Sequence, residues 1–435
     1  MPSDLIYNGN ISSFNELSED TSCEVLVIGG GVCGLLCAHY LREAGIDVLL
    51  TEADTVASST TARSTAVVTV GQNTLIHDIA KRKSPDEARK LLLARAHALE
   101  EYRTLCKKIG AKHEERDFYL YSSEKPSKIM HEYEELKQME VDAALVNEMP
   151  IGIRLPAIKF GHQLQLDPID FCARIAKDLN IREKTRVTSL TENGAEAISS
   201  SGKYKINAKR VIIATHFPLP KLRGLYFLKL YQNRSYVMGL EGVKDIGGAY
   251  EDISENGVYM RMYGKYLLLG GGDHRTGKSG GGLSSLMRYR CEHFEGSKIR
   301  TTWATQDTET LDGLPYIGRL TRNDEKNLVA TGFGGNGFIG SMISAELLRD
   351  IILEKKNDFT SLFSPSRSML SEQLFKNIGS TITTYLIPTT RRCPHLGCAL
   401  VWNRAECTWD CPCHGSRFSK TGELINGPAQ RGMRR

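Results

Sequence analysis

The sequence lacks any long apolar run and any strong excess of one charge. Its first apolar stretch, from Val25 to Leu41, is broken by four glycines and a histidine, so it is too interrupted to span a bilayer. The N-terminus, MPSDLIYNGNISSFNELSED, is polar and acidic and has no secretory signal pattern. We therefore expect a cytoplasmic protein without membrane insertion. The net charge of +5 over 107 charged residues makes no case for nucleic-acid binding.

Cysteine is not scarce, but its distribution is uneven. Five of the 11 cysteines lie in the 21 residues from Cys393 to Cys413. Because a cytoplasmic protein has no general disulfide framework, this clustering indicates a site rather than a background frequency. The 435 residues exceed one ordinary core, and the 41% hydrophobic content is typical of a globular protein, so we expect two or three domains.

Residues 24–54, EVLVIGGGVCGLLCAHYLREAGIDVLLTEAD, predict a strand, a glycine loop, a helix and a second strand. The loop has the pattern G-x-G-x-x-G, which allows a tight turn, close approach to a pyrophosphate and close helix–strand packing. An acid after the second strand can accept hydrogen bonds from a ribose diol, and its charge argues against a 2′-phosphate. The predicted dinucleotide-binding residues are Gly29, Gly30, Gly31, Val32, Cys33, Gly34 and Glu52. A glycine-rich turn without a nucleotide is the alternative.

Three later segments decide between FAD and NAD. Residues 211–218 (VIIATHFP), 303–318 (WATQDTETLDGLPYIG) and 328–345 (LVATGFGGNGFIGSMISA) join the first loop in resembling the D-amino acid oxidase and sarcosine oxidase family of FAD enzymes. The resemblance implies non-covalent FAD, with the last glycine loop and its helix at the flavin's pyrimidine end, where a helix N-terminus stabilises the charge of a reduced flavin. It implies FAD contacts from Thr61, Ser64, Thr65, Val187, Gly334, Gly335, Asn336, Gly337 and Phe338.

The middle of the chain predicts a charged helical stretch over residues 78–108 and a strand-rich region over residues 229–272 with a hairpin turn at 263–265. In the family that the chain resembles, a mixed sheet of this kind forms the substrate domain over the flavin. An arginine there could bind a carboxylate through two parallel hydrogen bonds. The candidate substrate residues are Arg234, Tyr236, Tyr259, Arg261 and His274, each with an ordinary place on the sheet surface as the alternative.

Two short motifs, RRCPHLGCAL (391–400) and CPCHGSRF (411–418), account for the cysteine cluster. Each places a histidine shortly after a cysteine, as C-x-H in the first and C-x-x-H in the second. Two cysteines and two histidines can hold zinc, although zinc sites usually have C-x-x-C spacing. The alternatives are a Rieske [2Fe–2S] cluster, with two thiolates on one iron and two imidazoles on the other, and a vestigial site.

CPHLGC and CPCHGS resemble the two loops of a Rieske domain. The resemblance implies that Cys393 and Cys411 bind one iron and that His395 and His414 bind the other. Replacing two thiolates with neutral imidazoles raises the reduction potential of the cluster. The remaining pair of loop cysteines matches a disulfide of the respiratory-complex type of Rieske protein, and this pair is Cys398 and Cys413.

Two further residues bear on the cluster that the resemblance implies. Ser416 matches a family serine that hydrogen-bonds a bridging sulfide, and Phe418 stands where high-potential relatives have a tyrosine. We therefore expect a potential in the low or middle part of the Rieske range. Only about thirty residues separate Ser364, near the end of the flavin domain, from Cys393. This spacing predicts a reduced Rieske domain that leans on the flavin domain.

The predicted fold class is α/β plus β: a Rossmann-type FAD-binding domain with an inserted mixed-sheet substrate domain, followed by a small all-β Rieske domain. The predicted domains are residues 20–85, 151–225 and 301–358 for FAD binding, 86–150 and 226–300 for substrate, 359–380 for a linker, and 381–435 for the reduced Rieske domain.

The predicted function is oxidation of an amine or amino-acid-like substrate by hydride transfer to FAD. Electrons then pass singly through the cluster to an external one-electron carrier, because flavin can bridge two-electron and one-electron chemistry. A reductase fed through the cluster and a non-enzymatic redox sensor or electron-transfer protein are the alternatives. We do not expect a Rieske oxygenase, because only 21 residues of this sequence follow His414 and none is a histidine that could hold its mononuclear iron.

Overall fold

A computed structural model describes residues 6–7, 9–139, 141–219, 222–278, 282–368 and 372–433. None of the helices in these ranges is long and apolar enough to cross a lipid bilayer. These described residues form two large sheets and one small one.

The first sheet is the predicted Rossmann-type layer. Its strands are β1 (Thr21–Ile28), β2 (Val48–Thr51), β7 (Ile181–Arg182), β8 (Arg186–Thr191), β9 (Gly194–Ile198), β10 (Lys203–Ile213), β16 (Tyr316–Arg319) and β17 (Asn327–Thr331). The main order is β16-β17-β10-β1-β2-β7, and β1 pairs in parallel with both β2 and β10. The last four residues of β1 are buried, as expected for a strand covered on both faces. Helices α1 (Val32–Glu43) and α8 (Gly337–Ile352) pack against each other beside this sheet.

The second sheet is mixed and has nine strands. They are β3 (Val67–Val68), β4 (His113–Tyr121), β5 (Ala143–Val146), β6 (Ala157–Leu166), β11 (Leu230–Glu241), β12 (Ala249–Asp252), β13 (Val258–Tyr263), β14 (Tyr266–Arg275) and β15 (Lys298–Thr310). The predicted hairpin turn joins β13 to β14. Strands β3, β6 and β15 belong to this sheet, although the predicted boundaries place all or most of each in the FAD-binding domain. Alternation of apolar residues predicts a strand but not the sheet that it joins.

The remaining helices in the described ranges lie around the sheets. They are α2 (Leu75–Arg82), α3 (Pro85–Ile109), α4 (Pro126–Gln138), α5 (Pro168–Ala176), α6 (Tyr226–Lys229), α7 (Gly282–His293), α9 (Thr360–Phe363) and α10 (Glu372–Leu386). The helical stretch predicted over residues 78–108 is two helices, because Ser84 caps a new one. The Ser84 hydroxyl accepts a hydrogen bond from the Glu87 N–H at 3.2 Å, and Pro85 occupies the first turn.

The C-terminal sheet is small, antiparallel and all-β, as predicted. Its strands β18 (Val401–Asn403), β19 (Thr408–Asp410), β20 (Arg417–Phe418) and β21 (Leu424–Asn426) pair in sequence order. Phe418 is fully buried in its apolar core with the loop cysteines. The predicted linker is largely helical, because α10 runs from within it to Leu386, inside the predicted Rieske segment.

Candidate functional site

The first glycine loop presents backbone N–H groups at the start of α1. Glu52 is held at the loop by the N–H groups of Gly30, at 2.6 Å, and Asp54, at 2.8 Å, and burial raises the pKa of its carboxyl. Gly34 has no room for a side chain, since a Cβ there would lie 1.8 Å from the Gly29 carbonyl oxygen. This close approach is the helix–strand packing that the dinucleotide pattern requires.

A single cavity of about 1320 Å³ runs from this loop to the second sheet. Fourteen of the sixteen residues predicted to bind the dinucleotide line it: Gly29, Gly31, Val32, Cys33, Glu52, Thr61, Ser64, Thr65, Val187, Gly334, Gly335, Asn336, Gly337 and Phe338. The other two, Gly30 and Gly34, lie behind the loop, where they position Glu52 and α1. The lining therefore fits an elongated dinucleotide that touches both glycine loops.

The second glycine loop is fixed from outside the first sheet. The buried Arg95 guanidinium of α3 donates to the Val70 carbonyl at 2.7 Å, to the Gln72 side-chain oxygen at 2.7 Å and to the Asn336 side-chain oxygen at 3.2 Å. Asn336 is the residue before α8. Arg95 thus holds the N-terminus of α8 at the cavity, where that end of the helix favours negative charge.

The five candidate substrate residues are not equivalent. Arg234, Tyr259 and Arg261 line the cavity, whereas Tyr236 and His274 are absent from its described lining. The Arg261 guanidinium donates to the Leu166 carbonyl at 2.8 Å. The Arg234 Nε donates to Glu406 at 2.7 Å, and the Tyr236 hydroxyl donates to the same carboxylate at 3.2 Å. His274 stacks on the Tyr236 ring, with ring centroids 5.9 Å apart.

Four carboxylates that the sequence reasoning missed line the cavity on the second sheet: Glu251, Asp273, Asp307 and Glu309. In the described part of the chain, no hydrogen bond reaches any of these side chains. Burial, and then the neighbouring Asp307 and Asp273 charges, raises the pKa of Glu309 to about 8. Burial also raises the pKa of Asp307 to about 6, and the Arg234 charge lowers it in part. The alternation along β15 was the only available sequence signal.

Glu309 lies at the second glycine loop. A Cβ added to Gly334 would be 2.7 Å from a Glu309 carboxylate oxygen, so the Glu309 side chain lies close to the backbone of this loop. Two arginines on this side of the cavity are paired with carboxylates: Arg234 with Glu406, and Arg417 with both Glu406 and Asp410. Arg261 also lines this side, but it is only 2% exposed and donates to the Leu166 carbonyl. The exposed charge that this sheet offers to the cavity is therefore negative.

The two C-terminal motifs form neighbouring turns that bring their cysteines and histidines together. The Cys393 N–H donates to the Cys398 carbonyl at 2.9 Å, and the Cys411 N–H donates to the Ser416 carbonyl at 2.8 Å. The rings of His395 and His414 meet edge to face, with centroids 5.0 Å apart. All four predicted ligands are buried. The thiols of Cys393 and Cys411 are within hydrogen-bonding contact of each other.

The donor set fits a metal centre with imidazole ligands. His414 donates from Nε2 to the Phe227 carbonyl at 3.0 Å, and its Nδ1 is buried without a partner. Burial lowers the pKa of His414, so its imidazole is neutral, as a ligand must be. A neutral imidazole that donates from Nε2 presents a lone pair at Nδ1. A buried unpaired acceptor is costly, and a metal ion would relieve that cost.

The remaining loop residues have the following positions. Cys398 and Cys413 are free thiols in the structure, with their sulfurs and that of Cys411 all within 4.8 Å of one another, and their disulfide stays a prediction. Ser416 accepts a hydrogen bond from the Ala429 N–H at 3.1 Å. Cys407 is exposed and lies four residues before Cys411 in the chain.

The cluster loops rest directly on the rest of the chain. The Phe217 ring is 5.8 Å from the His395 ring and 5.9 Å from the His414 ring, and Phe217 also lines the cavity. Gln306 of β15 donates to the Gly415 carbonyl at 2.9 Å. Gly415 has a positive φ of 75°, and a Cβ there would lie 2.4 Å from Gln232 of β11. The backbone of this loop at Gly415 therefore packs directly against side chains of the second sheet.

Comparison with known proteins gives two family matches and several relatives. Residues 24–351 match the model of the FAD dependent oxidoreductase family, and residues 382–435 match the Rieske [2Fe-2S] domain. The chain is 30% identical to YhfW of Bacillus subtilis (strain 168), whose name describes a Rieske 2Fe-2S iron-sulfur protein. That alignment covers 97% of this chain and 94% of YhfW.

Two solved structures share the fold of the larger part. Glycine oxidase from Geobacillus kaustophilus has a TM-score of 0.67 at 18% identity, and the match covers 80% of this chain and 100% of that one. L-proline dehydrogenase from P. horikoshii has a TM-score of 0.65 at 18% identity, with 81% of this chain and 98% of that one covered. At this identity the likeness establishes the fold alone.

Proposed function

Since the chain belongs to the FAD-dependent oxidoreductase family and ends in a Rieske [2Fe–2S] domain, we propose that it oxidises a cationic amine at a C–N bond and passes the electrons singly to the cluster. Its cofactors are therefore FAD and a [2Fe–2S] cluster, whose predicted ligands are Cys393, Cys411, His395 and His414. The structural neighbours are, by their names, enzymes of glycine and L-proline, which supports action at a C–N bond.

The contact of Phe217 with both cluster histidines carries the proposal. Its ring lies within 6 Å of the His395 and His414 rings, and the same residue lines the cavity for FAD and substrate. One side chain therefore separates the cavity from the histidine face of the cluster. This arrangement supports electron transfer within one chain, without a second subunit to close the gap.

The charge of the cavity supports an amine as substrate. Asp273, Asp307 and Glu309 face the cavity without hydrogen-bond partners in the described ranges, whereas Arg234 is neutralised by Glu406. Thr305, on the same side of β15, is 7% exposed and its hydroxyl is also unpartnered. Carboxylates and a hydroxyl suit an ammonium group, which offers only donors. A substrate carboxylate would meet repulsion there.

Oxidation of a C–N bond removes a hydride and a proton from the amine, and bound FAD supplies the hydride acceptor. The proton needs an acceptor on the protein. Glu309 is suited to this role, because it lies at the second glycine loop and its pKa is raised to about 8. Asp307, two residues earlier on the same strand, would hold the ammonium group by charge.

The experiment is anaerobic mixing of purified protein with a panel of diamines, monoamines, N-methylated amino acids and D-amino acids. Flavin absorbance follows the first step, and the electron paramagnetic resonance signal of a reduced Rieske cluster follows the second. We expect a diamine to reduce the flavin fastest, with the cluster signal appearing afterwards. Cys411→Ser, which removes a predicted iron ligand, is the control and should leave only the flavin step.

Three outcomes would contradict parts of the proposal. Flavin reduction with a silent cluster in wild-type protein would exclude the internal electron path. Fastest reduction by an amino acid would exclude the cationic amine. If no compound reduces the flavin but a chemically reduced cluster does, the electrons flow the other way and the protein is a reductase.

A further inference from the structure

Helix α10 buries two polar residues and exposes several large apolar ones. Asn377 and Thr384 are buried, whereas Phe375 is 67% exposed and Leu386 is 74% exposed. A surface helix normally buries its apolar stripe and exposes its polar one. We define the apolar face of α10 as its exposed large apolar side chains, which are Phe375, Ile382, Tyr385 and Leu386. Such a contiguous exposed apolar surface indicates an interaction site.

The inner side of α10 is fixed to the cluster loops. The Thr384 hydroxyl lies 3.0 Å from the Cys413 sulfur, and the Arg392 guanidinium donates to the carbonyls of Tyr385, at 3.1 Å, and Gly397, at 2.9 Å. At the other end, the Asn377 amide donates to the Leu228 carbonyl at 3.2 Å. The apolar face is therefore a rigid surface, separated from the second cluster loop by one helix diameter, about 10 Å.

The histidine side of the cluster is closed to an external protein. His395 and His414 are buried against Phe217, and the outward nitrogen of His414 is bonded to the Phe227 carbonyl. A partner that exchanges electrons with the cluster must approach from another side. On the α10 side, an apolar surface and a short distance to the second cluster loop coincide.

The charge of this region indicates the partner's charge. Residues 372–435 contain nine lysines and arginines against four aspartates and glutamates, so their net charge of +5 equals that of the whole chain. Five basic side chains in the described part of this segment are exposed: Lys376, Arg391, Arg404, Lys420 and Arg431. Among the three carboxylates whose burial the structure describes in this segment, Glu423 is exposed, whereas Glu406 and Asp410 are paired with arginines.

We propose that the apolar face of α10, which lies in this basic segment of the chain, docks a small acidic one-electron carrier protein. This inference rests on the proposed function, which requires the cluster to be reoxidised. A bound [2Fe–2S] cluster would supply one electron and the carrier would accept it, so the transfer would need no further reactant. Electron-transfer contacts are small, below about 1,200 Å² in total, so one helix face with a charged rim is sufficient. A second copy of this chain would meet like charge.

The test measures binding of the cofactor-loaded full chain to two probes, an acidic blue-copper protein and a basic cytochrome c. The acidic probe should bind, and its affinity should fall steeply as salt is raised, because exposed charges are screened. Replacing the apolar face with Phe375→Ser and Leu386→Ser should weaken binding at least about tenfold, which corresponds to about 1.4 kcal/mol. Leu93→Ser, at an apolar residue of α3 that is 53% exposed, is the matched control and should change nothing.

A second variant tests the charge separately from the helix. Lys376→Gln with Arg391→Gln should weaken binding at low salt and flatten its salt dependence, while the cluster signal and flavin reduction by amine stay unchanged. Equal affinity of the apolar-face variant and wild type, or equal binding of cytochrome c, would overturn the proposal. The proposal would also be overturned if this face caused self-association or retention on phosphatidylserine vesicles while the carrier did not bind. If the carrier binds through α10 but no amine reduces the flavin, the proposed function is refuted and the docking proposal is not.

Discussion

His414 donates its Nε2 hydrogen to the main-chain oxygen of Phe227, 3.0 Å away, and thereby ties a predicted iron ligand to the segment that enters the second sheet. The bond fixes the tautomer of the imidazole and the orientation of its ring. Such outer contacts of a metal-bound histidine usually tune both its basicity and its geometry. Here the contact comes from outside the Rieske segment, so the position of the cluster and the position of the cavity are set together.

Phe217 should control electron transfer between the cavity and the cluster. Phe217→Ala removes the ring that contacts both histidines and leaves a gap between the cavity and the cluster loops. We expect the rate of flavin reduction by amine to be unchanged. The rate of cluster reduction should fall at least about tenfold, which corresponds to about 1.4 kcal/mol in activation free energy. Stopped-flow absorbance with freeze-quench magnetic resonance measures both steps.

Phe217→Leu is the control for that variant, since it keeps an apolar side chain in the same place and should retain most of the rate. An unchanged rate of cluster reduction in Phe217→Ala would show that electrons do not pass at this contact.

Glu406 should hold the Rieske segment against the second sheet. It pairs with both Arg234 and Arg417, and all three side chains are largely buried. Burial raises the pKa of Glu406, but the Arg234 and Arg417 charges outweigh this effect and lower it overall. Breaking a buried pair leaves uncompensated charge, so Glu406→Ala should cost about 3–5 kcal/mol. Urea unfolding that is monitored through the absorbance of the cluster measures this loss of stability.

Lys265→Ala removes an exposed pair with Glu241 and should leave the stability almost unchanged, because solvent screens such a pair, which makes it the matched control. Because the folded pKa of Glu406 is depressed, its contribution is present above the ordinary carboxyl pKa and is lost as the pH falls through the folded value. An equal effect of the two substitutions would contradict this role.

The sequence predicted those parts of the site whose functional groups lie close together along the chain. The glycine loop with Glu52, and the two motifs from Cys393 to His414, each bring their groups together within one or two turns, and the two families they indicated are confirmed. Local spacing is sufficient there, because the backbone between the groups is short.

The parts that sequence did not predict depend on strand pairing. Asp307 faces the cavity because β15 pairs with β11 in one register, which places Asp307 opposite Asn233. A shift by one residue would turn its side chain to the other face. Arg234 was predicted as a substrate residue, but its partner Glu406 is 172 positions away. The predicted boundary between the linker (359–380) and the Rieske segment (381–435) falls inside helix α10, whose outward apolar face depends on tertiary contacts that sequence does not show.

Glu309 should set the pH dependence of substrate oxidation. A proton acceptor works in its deprotonated form, so the second-order rate constant of flavin reduction should rise with pH through about 8, the raised pKa of Glu309. Glu309→Gln cannot accept the proton and should lower this constant by about 100-fold to 10,000-fold. The rise near pH 8 should also disappear.

Asp307→Asn is the comparison for Glu309, because it removes a neighbouring charge on the same strand without removing the proton acceptor. It should weaken amine binding and keep a pH-dependent rate. A rise near pH 8 that persists in Glu309→Gln would assign proton transfer to another group.

Gly415 should determine whether the second cluster loop can seat on the sheet. Its φ of 75° disfavours any side chain, and a Cβ would lie 2.4 Å from the Gln232 Cγ and 2.7 Å from the Gln306 amide nitrogen. The left-handed conformation alone costs a non-glycine residue about 1–2 kcal/mol, and the clash adds to it. Gly415→Ala should therefore displace the loop that carries Cys411 and His414 and reduce the iron bound per chain. Gly379→Ala, in α10 with no atom within 4 Å of the added Cβ, should keep full iron content and stabilise the helix by about 0.5–1 kcal/mol. Full iron and an unchanged cluster potential in Gly415→Ala would mean that the loop does not need this close contact.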